Sequence, residues 1–482
     1  MHDRAFIPFA EYAFGLPTTG AEQALFAFFA LLGLLVILFM LPDRKPGMLV
    51  ASLFHVAGGL LTLAANDLIG MLLGFELMTF SAFAIIIQRR DRAALGSGLR
   101  YIVVQIISAG LFFAGAVWHW HLTGSLAVAP AAPAAQPLFL ASILIKTAMV
   151  PLHFWLVDAY PQAPYSGGVL LSVFTTKAGV YAAARLLRVG WLGQPVVAWI
   201  GAVVAVVAVV GALRQRDVRR LLAYHIVSQV GYMMAGVGLA GVDRAGDIGL
   251  NAGLFHAVNH IVYKALLLMV AAAICPLFRH DDLYRMGGAL RRMPKTFVIA
   301  VIASAAIVGV PPLSGYASKE LLKQATDNQL MIGLLSLASV GTGLSFIKFV
   351  YLIFVRPSKE PLPPLRDPGL LRLTPMLILA ALCLFNGLWP ALVSSDFAAA
   401  YYTPKAVAIG LLPPLVAAGI WVVGRRQVLD KMPAAKAIRW PEWVEKKMGS
   451  SYARLRAWHG IHPQTVFLAL FVFWIALALG LS

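Results

Sequence analysis

Charge is scarce in this sequence. Only 12% of its 482 residues are Asp, Glu, Lys or Arg and 60% are hydrophobic, whereas a soluble domain carries about 25% charged residues. At roughly 20 residues per crossing the length accommodates about 14 membrane helices with short connections, which leaves no room for a sizeable soluble domain. Catalysis in a water-facing domain is thereby set aside. Cysteine is scarcer still. Cys275 and Cys383, both in apolar segments, are too few for an iron–sulfur or zinc ligand set or a disulfide framework. No cofactor is expected in this chain, and any redox centre belongs to another one. Acids are also few, 21 against 39 basic residues, for a formal charge of +18. The basic residues fall in short loops between apolar runs, which points to membrane topology and away from nucleic acid. No P-loop, Ser–His–Asp order or zinc-finger spacing is present. Gly236 to Gly241 fits the dinucleotide pattern G-x-G-x-x-G, but it ends an apolar helix with no strand before it, so a nucleotide site is rejected.

What the sequence does have is apolar runs, and they predict an all-α polytopic membrane protein. Spans are expected at about 22–41, 47–65, 67–88, 97–122, 136–160, 164–189, 193–213, 217–240, 248–275, 295–326, 329–355, 373–395, 404–424 and 463–481. The first run ends at Pro42-Asp43-Arg44-Lys45 without a small-residue cleavage site, so it reads as a retained helix. Alternate loops then hold 27 basic residues on one side and six on the other. Cytoplasmic loops carry the excess, which places both termini on the non-cytoplasmic side of the cell inner membrane. The expected organisation is N-terminal helices over 1–66, a first repeat core over 67–190 and a second over 193–355. C-terminal helices follow over 356–424, then a basic, Trp-containing segment over 425–462 and a last helix within 463–482. The 425–462 segment reads as an amphipathic stretch lying at the lipid surface or clamping a neighbouring subunit.

Apart from Arg100 near a helix end, five basic residues lie well inside spans, and all are lysine: Lys146, Lys177, Lys264, Lys319 and Lys348, in a chain with 25 Arg and 14 Lys. Arg stays charged, while a desolvated Lys can release its proton. Each interior charge costs roughly 2.5–3.5 kcal/mol on insertion scales, so the set points to titrating groups, with snorkelling or static ion pairs as the alternative. Glu76 is the lone interior acid of its span and needs a lysine partner. Pro151, five residues after Lys146, leaves the Thr147 carbonyl without its helical donor. Pro311 and Pro312 do the same to Ile307 and Val308 ahead of Lys319. Broken backbone at membrane depth is tolerated where it lines a hydrated cavity; a simple kink is the alternative. Each broken span is followed directly by a lysine-bearing one, and the two pairs lie five helices apart, which predicts two inverted five-helix repeats. His256, His260 and Lys264 recur every four residues and share one helix face. They suit a proton relay through histidine and water better than a metal site, for which no third ligand is evident. His153, His225 and Lys348 are further relay candidates. For His153 the alternative is capping of the break, and for His225 a plain hydrogen bond between helices.

The segments KTAMVPLHFWLVDAYPQAP, TTKAGVYAAARLLR, ALRQRDVRRLLAYHIVSQVGY, HAVNHIVYKALLL, MGGALRRMPKTF and GVPPLSGYASKELL closely resemble the antiporter-like subunits of respiratory complex I, Mrp-type cation/proton antiporters and membrane-bound hydrogenases. The resemblance covers about residues 67–355. It implies a proton path in which FELM supplies Glu76, KTAMVPLHFW supplies Lys146 and TTKAGVY supplies Lys177. HAVNHIVYK then supplies His256, His260 and Lys264, and GYASK supplies Lys319. Three departures stand out. Leu156-Val157-Asp158-Ala159-Tyr160 replaces the usual Leu-Pro-Asp-Ala-His, Tyr224-His225-Ile226 with Gln229 replaces Tyr-Ser-Ser with His, and about two helices are missing before Glu76. The implied function is a proton-translocating subunit of a complex I-like, Mrp-type or hydrogenase-like assembly, embedded in the lipid bilayer among other membrane subunits and with a peripheral redox or uptake subunit as a candidate partner. In enzyme terms that is at most a non-redox subunit of a proton-translocating NADH:quinone oxidoreductase-like complex. The alternatives are a subunit that supplies proton-motive force to uptake of another substrate, such as inorganic carbon or sodium, and a scaffold with a dead channel.

Overall fold

A computed structural model describes residues 20–187, 194–241, 248–358, 361, 363–390 and 402–424. The expected segment 425–462 and the expected last helix lie outside the described residues. Those described are helical, with only two isolated bridge pairs, Asp67 with Ala127 and Asp217 with Asp282. They form two compact units. Among the described residues the first holds 20–148 and 154–187; the second holds 149–153 and those from 194 to 424.

In the first unit the helices are α1 (Gly20–Met40), α2 (Pro46–Leu63), α3 (Leu68–Ile87), α4 (Arg92–Thr123), α5 (Gln136–Lys146), α6 (Phe154–Ala159), α7 (Tyr165–Val173) and α8 (Thr175–Leu186). In the second they are α9 (Gln194–Leu213), α10 (Val218–Gly238), α11 (Ile248–Phe278), α12 (Pro294–Val308), α13 (Ser314–Gln324), α14 (Gln329–Val350), α15 (Leu370–Leu388) and α16 (Pro404–Gly424). Ten of the described spans are long and apolar enough to cross a membrane, and α5 and α12 are shorter apolar helices.

Local chemistry sets where these helices begin. Asp67 Oδ1 accepts from Gly70 N at 2.6 Å, Asp91 Oδ1 from Ala94 N at 2.7 Å and Asp217 Oδ1 from Arg220 N at 2.8 Å. Asn328 Oδ1 accepts from Leu330 N and Met331 N, both at 3.1 Å. Each satisfies amides that the first helical turn leaves without partners. Three of the 21 acids thus sit at helix starts. Small residues then bring helices together. A Cβ on Gly74 would lie 2.9 Å from the Gly58 carbonyl oxygen and 2.8 Å from Thr62 N, so α2 and α3 pack backbone to backbone, as small residues permit within a bilayer.

Proline interrupts the two spans where it was expected to. The 136–160 run stops as α5 at Lys146 and resumes as α6 at Phe154, while the 295–326 run stops as α12 at Val308 and resumes as α13 at Ser314. A third interruption was not anticipated. The 164–189 run is two helices, α7 and α8, parted at Phe174. No proline or glycine marks the place. Ser172, Val173, Thr175 and Thr176 surround it, and hydroxyl and β-branched side chains compete with helical backbone bonding or crowd it.

Candidate functional site

In the first unit the polar centre is built by α3, α5 and the α7–α8 interruption. Glu76 sits in the middle of α3, nearly fully buried, and neither carboxylate oxygen has a hydrogen-bond partner among the described residues. Lys146, the last residue of α5, is buried as well. Its ammonium donates to Thr79 Oγ1 at 3.1 Å and to the Phe75 carbonyl at 3.5 Å, and lies 4.8 Å from the centre of the Phe75 ring. All three contacts come from the helix that carries Glu76. The lysine therefore lies within the electrostatic reach of that carboxylate without a direct hydrogen bond to it. Lys177 is buried one half-turn into α8 and donates across the Phe174 interruption to the Ser172 carbonyl. Near the α5 break, Trp155 Nε1 donates to the Ile145 carbonyl at 2.9 Å. Arg100 of α4 grips Asp158 of α6 through two bonds, Nε to Oδ2 at 2.7 Å and Nη2 to Oδ1 at 3.0 Å. Asp158 is the acid kept in the altered Leu-Val-Asp-Ala-Tyr stretch. Asp158→Asn is expected to lower stability by about 1 kcal/mol, the upper range for a well-formed, partly exposed pair, seen as a lower melting temperature of the purified protein.

In the second unit α11 presents its four-residue stripe to α10 and α13. His256 Nε2 is 3.2 Å from Gln229 Oε1 and Nδ1 is 2.9 Å from Ser318 Oγ. With the amide oxygen able only to accept, Nε2 carries the ring proton and Ser318 donates to Nδ1. Gln229, where the resemblance expects histidine, thus holds a place in the same polar chain. The Tyr263 hydroxyl lies 3.4 Å from both Gln229 Oε1 and His256 Nε2, and its ring meets His260 edge-on with centres 5.4 Å apart. His260 and Lys264 are both completely buried on α11. Beyond Ser318 comes Lys319, whose ammonium donates to the Ile307 carbonyl at 2.8 Å and the Val308 carbonyl at 3.3 Å. Those are the two carbonyls that Pro311 and Pro312 release. Lys319 also lies 4.9 Å from the centre of the Tyr232 ring.

The three further candidates differ in setting. His225 is buried against Phe346, ring centres 4.7 Å apart, with neither ring nitrogen hydrogen-bonded among the described residues. It lies within the electrostatic reach of Lys264, Lys319 and Lys348 together. His153 is half-buried beside the Tyr224 ring, centres 5.8 Å apart. Lys348 donates to the Leu213 carbonyl at 3.0 Å and the Gln215 carbonyl at 2.7 Å, and so caps the end of α9. Replacing Lys348 by Met is expected to lower stability by about 1–3 kcal/mol, through carbonyls left without a donor, seen in a melting curve of the purified protein beside wild type.

The transmembrane family described as NADH:quinone oxidoreductase/Mrp antiporter matches residues 65–345, well over half of the sequence. The chain belongs to this family. Among relatives, an uncharacterized protein of Methanocaldococcus jannaschii is 28% identical over 402 residues, covering 78% of this chain and 82% of that one. A Na(+)/H(+) antiporter subunit of Alkalihalophilus pseudofirmus is 29% identical, covering 59% of this chain and 62% of its own length. A hydrogenase-4 component of Escherichia coli is 32% identical, covering 51% of this chain and 40% of its own length. The chain therefore spans less than two thirds of these last two relatives. Two solved structures share the fold. The Mrp complex from Dietzia sp. DQ12-45-1b aligns with a TM-score of 0.71 at 23% identity over 86% of both chains. The membrane-bound sulfane sulfur reductase, an archaeal respiratory membrane complex, aligns with a TM-score of 0.73 at 23% identity over 96% of this chain and 84% of that one.

The antiporter-family match includes Glu76, Lys146, Lys177, His256, His260, Lys264 and Lys319, and excludes Lys348. Sequence reasoning missed several polar partners within it, among them Thr79, Gln229 as a contributor, and Ser318. It also missed His55, a buried histidine on α2 ahead of the matched region. The available signal was a lone histidine in an apolar span, which the motifs farther along the chain do not include.

Proposed function

We propose that this chain is the proton-translocating membrane subunit of a multisubunit assembly of the complex I-like or Mrp-type antiporter class. In this reading protons pass near the bilayer midplane through Glu76, Lys146 and Lys177 in the first unit and through Lys264, His256, His260 and Lys319 in the second. The observation that carries the proposal is where the lysines sit. Lys177 and Lys319 are buried at helix interruptions and donate to carbonyls that those interruptions release. A buried ammonium satisfied by neutral carbonyls and no carboxylate can give up its proton without leaving a stranded counter-charge. In the first unit, a proton arriving at or leaving Glu76 changes the field on Lys146 by one full charge. The ammonium's other partners, Thr79, the Phe75 carbonyl and the Phe75 ring, are neutral, so that charge decides whether Lys146 keeps its proton.

The proposal extends to 14 crossings arranged as two inverted five-helix repeats with flanking helices, both termini on the non-cytoplasmic side of the inner membrane, and membrane subunits as neighbours. Its test is gentle detergent extraction of the tagged chain from native membranes, with mass spectrometry of what stays attached and a pH-dye assay of proton movement in inverted vesicles. Further membrane subunits and dye-detected translocation are the expected result. A chain that purifies alone and moves no protons overturns the proposal. Flavin or iron–sulfur subunits in the preparation would identify a redox-driven assembly. A single soluble partner would identify proton-driven uptake of another substrate.

A further inference from the structure

His55 lies ahead of the family match at residues 65–345 and is completely buried on α2. Its Nδ1 is 3.0 Å from Ser81 Oγ and 3.2 Å from the Met78 carbonyl oxygen, both on α3, the helix of Glu76. The Met78 carbonyl can only accept, and Ser81 already donates its hydroxyl proton to the Leu77 carbonyl at 2.6 Å. Nδ1 therefore carries the ring proton, which leaves Nε2 of the neutral imidazole as an acceptor. Nε2 faces Thr175 Oγ1 at 3.4 Å, so the threonine hydroxyl donates to it. Thr175 is the first residue of α8, directly after the interruption at Phe174 and two residues before Lys177. The Lys177 ammonium closes the same interruption by donating to Ser172. The packing is specific to the place. The His55 and Phe174 rings meet nearly perpendicular with centres 6.0 Å apart, and one turn along α2 a Cβ on Gly59 would come within 2.2 Å of Phe174 Cδ1. Helix α2 is thus pressed onto the interruption that sets Lys177.

We propose that His55 is a positioning residue of the proton path, a two-ended imidazole that ties the Glu76 helix to the interruption bearing Lys177. The proposal rests on the proton-path reading. A residue needed only to fill space here would be apolar, because burying an imidazole is costly where its nitrogens lack partners. Both nitrogens have one, and the two lie on the helix that holds the Lys146 ammonium through Thr79 and Phe75 and on the helix that bears Lys177. Holding them in register keeps the Lys146-to-Lys177 step within reach, since proton transfer is lost when donor and acceptor drift beyond hydrogen-bond or single-water range.

The test uses inverted vesicles containing the native assembly, with chain level measured beside proton translocation. Glu76→Gln reports on the path itself; His55→Leu, Thr175→Val, their double variant and Thr175→Ser report on the link. His55→Leu and Thr175→Val are each expected to reduce translocation about fivefold, on the scale of one hydrogen bond. The double variant is expected to be no worse than His55→Leu, because both remove the same link. Thr175→Ser keeps the hydroxyl and is expected to retain near wild-type translocation. If Glu76→Gln abolishes translocation but Thr175→Val leaves it unchanged, or if the two losses multiply in the double variant, the His55 proposal is overturned and the path stands. Unchanged translocation in Glu76→Gln overturns both. Should His55→Leu fail to accumulate, the Thr175→Val and Thr175→Ser pair decides, since it leaves the histidine in place.

Discussion

Glu76→Gln and Lys146→Ala are each expected to lower proton translocation on the order of 10²-fold, the scale for removing a positioned proton-transfer group, while the chain still accumulates in the membrane. The two substitutions act from opposite sides of one electrostatic pair. Gln keeps the shape of Glu76 and removes its charge, so Lys146 no longer feels a proton come or go. Neither oxygen of Glu76 is hydrogen-bonded among the described residues, so an amide there breaks no described contact and the fold is expected to survive. Lys146→Ala removes the group that answers to Glu76, and it frees Thr79 and the Phe75 carbonyl. Thr79 keeps its own bond to the Phe75 carbonyl at 2.9 Å, which limits the structural cost. The check is dye-detected translocation in inverted vesicles, normalised to chain level by immunoblot. Wild-type translocation in both variants would remove the mechanism.

Lys319 separates proton transfer from structure. Its ammonium satisfies two carbonyls that Pro311 and Pro312 have released, so Lys319→Ala is expected to cost both translocation and about 1–3 kcal/mol of stability, from buried acceptors left without donors. Lys319→Arg is expected to keep most of the stability, because a guanidinium can still donate to both carbonyls. It is expected to lose translocation to the same degree as Ala, because arginine holds its proton throughout the accessible range. Melting of the purified assembly and dye-detected translocation, measured on both variants, give the two readouts. Translocation in Lys319→Arg equal to wild type would mean that Lys319 only braces the break.

The residues that were legible in the sequence share a reason. Pro151, Pro311 and Pro312 act on the backbone locally, by deleting a donor and clashing with the preceding turn, so the breaks at α5 and α12 could be read without knowing any neighbour. The interior lysines and Glu76 were legible because a charge in an apolar run is costly wherever it packs. The interruption at Phe174 was not legible. No single residue there forbids a helix, and the Lys177 ammonium donates across the break to the Ser172 carbonyl, a contact visible only in three dimensions. Lys348 was legible as an interior charge and illegible as a cap, because the carbonyls it holds belong to Leu213 and Gln215, more than a hundred residues away in sequence.

By itself the sequence determined that this is a multi-pass helical membrane protein of the antiporter-like family, which residues carry interior charge, and where proline breaks the backbone. Hydropathy, charge cost and proline geometry are local, and they leave local marks. Which neutral groups surround each charge was decided only by the tertiary structure. The Phe75 face and Thr79 at Lys146, Gln229 and Ser318 at His256, and the bridge of His55 between α3 and α8 all join residues from separate helices. Their meeting depends on how small residues let those helices approach, as Gly58 and Gly74 do for α2 and α3. That close approach sets hydrogen-bond distances, which no spacing along the chain encodes.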